Sequence, residues 1–353
     1  MPQKKVFGLP ARRNRRENPY NFLLAEALEK SGWSVVDPSV KQALFGRADI
    51  VHVHWPQQYA SAKGNAYLYR LPLFVLTLAV QKLRGARVIW TAHNVTSHSS
   101  RRPKLEHMLM AYFVRLVDGV IYLSESVKQS AEDVYLPLRR VRSRIVPHGV
   151  YGDAYPPSPT FAEARARFGL ESSGAIAGVI GDIRPYKGID RVLANLTRQT
   201  PCFEVLIAGA LPKDDYGKGI LRQINDARQA GWKVHLFDKR LDDAELVAAI
   251  TACSVIAFPY LTESTSGMAM LAAERGIRIV SPPGGAFDTL QAQLGGRGMT
   301  RTSTFDVRDL EEAIAGALSE DPAARVADLR DCNDWRRIAK IVTELYEDAI
   351  GHI

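Results

Sequence analysis

Cysteine is scarce: Cys202, Cys253 and Cys332 are the three in 353 residues, an odd number with no C-x-x-C pair. That argues against a disulfide framework and a cysteine-built zinc or dithiol centre, and sets the expectation of a reduced, cytoplasmic compartment. Long apolar runs are lacking too. The longest, residues 71–80, falls well short of the roughly 20 residues that a spanning helix needs. The first residues, Met1 to Leu9, lead into arginines without the apolar stretch of a signal peptide. No G-x-G-x-x-G follows a predicted strand, which weighs against a dinucleotide-dependent dehydrogenase. Neither a repeat period nor a low-complexity tract is present.

What is present is apolar material, 46% of the residues, over a length that suits two cores and hence two domains. Short β-branched or apolar runs alternate with helical patterns, the arrangement of parallel sheets covered by helices. Strands are predicted at Val6–Leu9, Ile50–Val53, Arg87–Thr91 and Gly119–Leu123 in the first half. In the second half they fall at Ala175–Ile180, Glu204–Ala208, Lys233–Phe237, Val255–Phe258 and Ile277–Val280. Each half reads as a doubly wound α/β unit. Between them the proline-rich Tyr151–Pro159 reads as a linker. This gives an N-terminal domain over 1–152, a C-terminal domain over 160–334 and a terminal helix over 335–353. The helical spacing of Ile338, Ile341, Val342, Leu345, Tyr346 and Ile350 supports that helix, which would pack back on the first domain.

Charge is segregated. Residues 1–155 hold 23 lysines and arginines against 11 acids, and the remainder holds 23 against 27, so a +12 half precedes a −4 half. The basic half is expected to meet an anion, whether nucleic acid, anionic lipid or a phosphorylated substrate, and charge alone does not choose. Against nucleic acid, the basic residues are dispersed and no recognition module is present.

In doubly wound sheets ligands bind beyond the carboxyl ends of the strands, so the polar residues just after each strand are the candidates. The first group is Gly178–Asp190, where a buried strand ends at Gly181 and passes through Arg184 and Lys187 into a helix start. Two cations, free backbone N–H groups and a helix dipole together suit a diphosphate, although two solvated surface cations would give the same pattern. The second is Phe258–Met268, where Ser264, Thr265, Ser266 and Gly267 can donate to phosphate oxygens and Glu263 can accept from sugar hydroxyls. A Ser/Thr N-cap is the plainer account of that stretch.

A third candidate, His93 with Asn94, follows the strand Arg87–Thr91 and could take a proton from an acceptor hydroxyl or bond the transferring sugar; a structural histidine is the alternative. His52 and His54 share one face of a strand, but no third ligand accompanies them and no metal site is assigned. Glu125 is a reserve base or, more simply, a first-turn acid behind the cap Ser124. Arg15, in the Arg12–Arg16 cluster after the first strand, is placed to attract an anionic acceptor or to lie in a solvated loop.

The order G-x-x-R-x-x-K-G, then Pro-x-x-x-Glu-Ser-x-Ser-Gly, then the strand Gly276–Val280 resembles the GT-B glycosyltransferases related to family 4. The resemblance implies two Rossmann-like domains facing a central cleft, with Arg184 and Lys187 on the donor diphosphate and the loop of Glu263 on the sugar. Many relatives carry a second glutamate eight residues after the first, on the ribose, and here that position is Leu271. Asp49–Pro56, Trp90–Asn94 and Thr265–Ala272 are most similar to bacterial exopolysaccharide enzymes, notably xanthan-type mannosyltransferases.

That implies a hexosyl transfer, first choice mannose from GDP-mannose, to a polyprenyl-diphosphate-linked or other lipid-linked saccharide, with no cofactor beyond the nucleotide diphosphate sugar. The Asp-x-Asp triplet of metal-dependent transferases of the other major fold is absent, so a metal-free mechanism is expected. The basic half, with residues 71–83 flanked by Arg70, Lys82, Arg84 and Arg87, suggests peripheral attachment to the anionic inner face of the cell membrane. A sheet-covering helix has the same pattern. The rival functions are a nucleotide-sugar epimerase or hydrolase on the same fold and a non-catalytic anion- or nucleic-acid-binding protein.

Overall fold

The computed structural model describes residues 3–62, 64–95, 101–170, 174–261 and 266–351. The described strands are β1 (Lys5–Leu9), β2 (Ser34–Val36), β3 (Ile50–Val53), β4 (Arg87–Ala92), β5 (Gly119–Tyr122), β6 (Arg142–Ile145), β7 (Ile176–Ile180), β8 (Glu204–Ala208), β9 (Val234–Phe237), β10 (Val255–Ala257), β11 (Arg278–Ser281) and β12 (Met299–Arg301). They form two parallel sheets of six, β2-β1-β3-β4-β5-β6 and β9-β8-β7-β10-β11-β12. In each, the strand order reverses direction beside the unit's first strand, which leaves a crevice between β1 and β3 and another between β7 and β10.

The chain divides into two compact units, Met1–Gly149 with Asn333–Ile353, and Val150–Cys332. Tyr151–Pro159 belongs to the second unit, where the backbone N–H groups of Tyr151 and Gly152 donate to Glu274 at 2.8 and 2.9 Å. Prolines end a strand or helix, but a carboxylate can still hold the segment that follows, and the sequence gives no sign of that partner.

In the first unit the two-residue period of a strand sorts side chains onto two cores. Val51, Val53, Val88, Trp90, Val120 and Tyr122 enter one cluster with Phe74, Leu78 and Phe113. Ile50, Ile89 and Ile121 enter the other, beneath Tyr20, Leu24 and Leu28 of the helix Tyr20–Lys30 and Ile338, Val342, Leu345 and Tyr346 of the helix Trp335–Ile350. The last helix therefore completes the first unit's core. In the second unit Val179, Val205, Ile207, Val255 and Val280 pack against Ile189, Leu193, Ile220, Ile224, Leu310 and Ile314.

Three strands lie outside the expected set: β2, β6 and β12. Each is short, and β2, β6 and β12 all lie at sheet edges. The residues of β6, Arg-Ser-Arg-Ile, are half-buried or exposed. Charge on an edge strand blocks pairing with another chain, and it also hides the strand from a search for hydrophobic runs.

Candidate functional site

The second unit's crevice lies between β7 and β10, and the two loops predicted to bind phosphate leave from those strands. Gly181, directly after β7, has φ +96°, and a Cβ there would lie 3.1 Å from the Lys187 ammonium and 3.5 Å from Met268. The chain then makes a 3-10 turn at Pro185–Lys187 and enters the helix Ile189–Leu196 through Gly188. Gly188 has φ +63°, and a Cβ would meet the carbonyl oxygen of Pro259 at 2.2 Å. Only glycine lets the β7 loop lie this close to the β10 loop. The two loops are also tied by Leu261 N–H to Tyr186 C=O at 2.9 Å and by an edge-on Tyr186–Tyr260 pair.

Half-buried Lys187 has its pKa pulled down to about 8, first by burial and then by Arg184, against the opposing pull of Asp182. Arg184 is exposed and keeps 3.8 Å from Asp182. Ser266 caps the helix Gly267–Glu274, accepting from Ala269 N–H at 3.2 Å, and its hydroxyl also meets Tyr260 at 3.1 Å. Ser266 thus has the capping role that its sequence allowed, and Gly267 opens the helix beside it. Glu263, Ser264 and Thr265 lie outside the described residues. Leu271 is buried in the core. The nearest following carboxylate, Glu274, is itself buried and spent on the backbone of Tyr151 and Gly152.

In the first unit, Ile50-His52-His54 and Ile89-Thr91-His93 are alternate residues of adjoining strands and their ends, so both sets face the side covered by the helices Tyr20–Lys30 and Trp335–Ile350. His52 spends one ring nitrogen on Thr91 Oγ1 at 2.7 Å and the other on Tyr346 Oη at 2.6 Å, whichever tautomer it takes. It is a structural histidine with neither nitrogen left for a metal. His54 Nδ1 and His93 Nε2 share a hydrogen bond of 3.1 Å. The Trp55 ring stacks on His93 at 4.4 Å, and Tyr20 meets it edge-on at 4.9 Å.

His148, which the sequence did not single out, joins the group, 4.8 Å from Tyr20 and bonded through Nδ1 to Gly149 C=O at 2.8 Å. It follows β6, the strand whose arginines concealed it. Burial lowers all four imidazoles: His52 to about 3, His148 to about 4, and His54 and His93 well below the ordinary 6.5, with neighbouring histidines adding to the last two. The group is neutral at physiological pH, so it offers lone pairs and N–H donors rather than positive charge.

The remaining candidates are dispersed. Asn94 is half-buried, and its carbonyl accepts from Gln57 at 3.1 Å. Arg15 is exposed, stacked 4.1 Å over Phe22. Glu125 is the first residue of the helix Glu125–Val134, exposed and 3.7 Å from Lys128, which is the first-turn acid its position allowed. The basic residues flanking 71–83 need correction. Lys82 is bound to Asp118 and Leu116 C=O, Arg84 to Leu44 and Gly46 C=O, and Arg87 lies near Asp118, so of the four only Arg70 is exposed.

Residues 6–151 match the model of Glycosyltransferase Family 4. Over 99% of this chain and 94% of the relative, the sequence is 26% identical to a GDP-mannose:glycolipid 4-beta-D-mannosyltransferase of Xanthomonas campestris pv. campestris. Among solved structures, sucrose-phosphate synthase from Thermosynechococcus elongatus superposes with a TM-score of 0.71 at 16% identity, covering 99% of this chain and 100% of that one. Anabaena HepE in complex with UDP and glucose gives 0.68 at 15% identity, covering 98% and 100%. With two parallel six-stranded sheets and these likenesses along its length, the chain has the two-domain α/β fold of the GT-B glycosyltransferases, and its residues 6–151 are similar to Glycosyltransferase Family 4.

Proposed function

We propose that the protein transfers a mannosyl group from GDP-mannose to a lipid-linked saccharide in bacterial polysaccharide assembly. The observation that carries the donor half is the second unit's crevice, where the Lys187 ammonium lies over the bare backbone of Gly181 beside the capped start of the helix Gly267–Glu274. A diphosphate there meets a cation, open N–H groups and a helix dipole, and carries none of its own bulk against a side chain at Gly181. The sugar and the acceptor are drawn from the relative, which is named for GDP-mannose and a glycolipid.

In this reading Arg184 and Lys187 neutralise the leaving nucleoside diphosphate, the task a metal ion performs in other transferases. His93, neutral and held just past the carboxyl end of β4, accepts the acceptor hydroxyl's proton. The acceptor O–H bond breaks as the oxygen bonds to the anomeric carbon, and the GDP oxygen leaves with the electron pair of the broken C–O bond.

A thermal-shift series with GDP, UDP, ADP and their sugars tests the donor, since a ligand bound only by the folded state raises Tm. GDP and GDP-mannose are expected to give the largest rise, and a rise with UDP alone overturns the choice. Transfer of labelled mannose to a polyprenyl-diphosphate-linked oligosaccharide tests the acceptor. Turnover is expected to persist in EDTA. Complete loss on chelation, restored by Mg²⁺ or Mn²⁺, would contradict the metal-free step.

A further inference from the structure

We infer that His54 is a positioning residue for His93, accepting the His93 Nε2–H through its own Nδ1 and so leaving the Nδ1 lone pair of His93 to face the acceptor. The proposal rests on the reading of His93 as proton acceptor. Its ground is the 3.1 Å contact between His54 Nδ1 and His93 Nε2. A neutral imidazole carries one proton, so a hydrogen bond between two ring nitrogens couples the tautomers of the two rings: the ring that donates here presents a lone pair at its other nitrogen.

The surroundings leave this bond to set the arrangement. His93 is held in plane by Trp55, stacked at 4.4 Å with 19° between the rings, and is met edge-on by Tyr20. No other hydrogen bond to the His93 ring is found among the described residues. The His54 ring lies 4.3 Å from that of His52, tilted by 30°, and His52 is anchored by Thr91 and Tyr346. The chain of support thus runs from the last helix through His52 to His54, and then to His93.

Neutrality makes the tautomer matter. An imidazolium would bond a hydroxyl oxygen through either N–H and could not accept a proton. Burial keeps His93 neutral, so whether its Nδ1 is a base or a donor depends on which ring holds the shared proton.

The test combines nitrogen NMR of the full chain, labelled at histidine, with turnover of two variants. In the unsubstituted protein, the His93 signal, assigned by its disappearance in His93→Gln, is expected to show the proton on Nε2. His54→Asn keeps an acceptor oxygen near the position of Nδ1 and is expected to retain that tautomer and turn over within about three-fold of the parent. His54→Phe removes the acceptor and is expected to lose about 100-fold in kcat, the scale of a general-base contribution, with KM for GDP-mannose unchanged.

A proton on Nδ1 of His93 in the unsubstituted protein overturns the proposal. So does a folded His54→Phe with full turnover. If His54→Phe does not fold, the tautomer in the unsubstituted protein and in His54→Asn still decides. If the unsubstituted protein turns over none of the donors, the transferase reading fails separately while the tautomer remains measurable.

Discussion

At the scale of single residues, the proposed donor site rests on Lys187, a cation whose charge is conditional. Lys187→Ala and Arg184→Ala are each expected to weaken GDP binding by about 10- to 100-fold, the equivalent of a charged hydrogen bond of about 1.5–3 kcal/mol, without lowering Tm. Calorimetric titration measures this, and unchanged affinity in both variants removes the diphosphate assignment. Lys187 should also give the binding a pH dependence. With its pKa held to about 8, it is charged below that value and loses its proton as pH rises through it. GDP affinity is therefore expected to fall from pH 7 to 9 in the parent and to stay level in Lys187→Arg, whose guanidinium keeps its charge. Equal slopes in the two proteins would show that Lys187 is not the group responsible.

At the scale of elements, the helix Trp335–Ile350 is held to the sheet by packing, by the ion pairs Arg144–Asp348 and Lys4–Glu347, and by the buried bond from Tyr346 to His52. Tyr346→Phe keeps the ring and leaves a buried His52 nitrogen without its partner, at a cost of about 1–3 kcal/mol. A urea midpoint lower than the parent's, with GDP affinity unchanged, is expected. A second element-scale expectation concerns the helices Val40–Phe45, Tyr67–Leu83 and Pro103–Phe113, which expose Phe45, Leu68, Tyr69, Leu76, Leu83, Met108 and Tyr112 among exposed Lys41, Arg47, Arg70, Arg101 and Lys104. Apolar side chains interspersed with cations suit an anionic bilayer, at about 1 kcal/mol for each basic residue near the surface. The full chain should pellet with phosphatidylglycerol-containing vesicles at low salt and be released by high salt, and Leu68→Asp with Leu83→Asp should reduce the pelleted fraction. A chain that stays in the supernatant at low salt overturns membrane attachment.

The legibility of the chain follows the same division. Buried central strands are visible because both faces demand apolar residues, and the glycines at 181 and 188 announce their loops because no other residue fits there. Of the edge strands, β6 was hidden by its two arginines, and with it went His148. The histidine pair was closer to view: His52 and His54 share a face by period, but only the neighbouring of β3 and β4 brings His93 to them.

At the scale of the whole molecule, four buried neutral histidines in one unit make stability depend on pH. Their folded-state pKa values lie below the ordinary 6.5, so the unfolded chain binds more protons at acid pH. Their stabilisation is complete above about pH 6.5 and is lost as pH falls towards 4, at up to about 1.4 kcal/mol per pH unit for each group. The urea midpoint is expected to fall steeply between pH 6.5 and 4.5, and a flat midpoint over that range would mean that the cluster is solvated. The placing of the helix Trp335–Ile350 in the first unit also has a consequence for synthesis. Domains made first on the ribosome usually fold first. Here Val150–Cys332 is complete as a unit while the earlier-made residues still lack Tyr346 and its neighbours, so the half translated first is the last to close. Until then the part of the sheet face that this helix covers, beside Ile89 and Ile121, lacks its apolar partner.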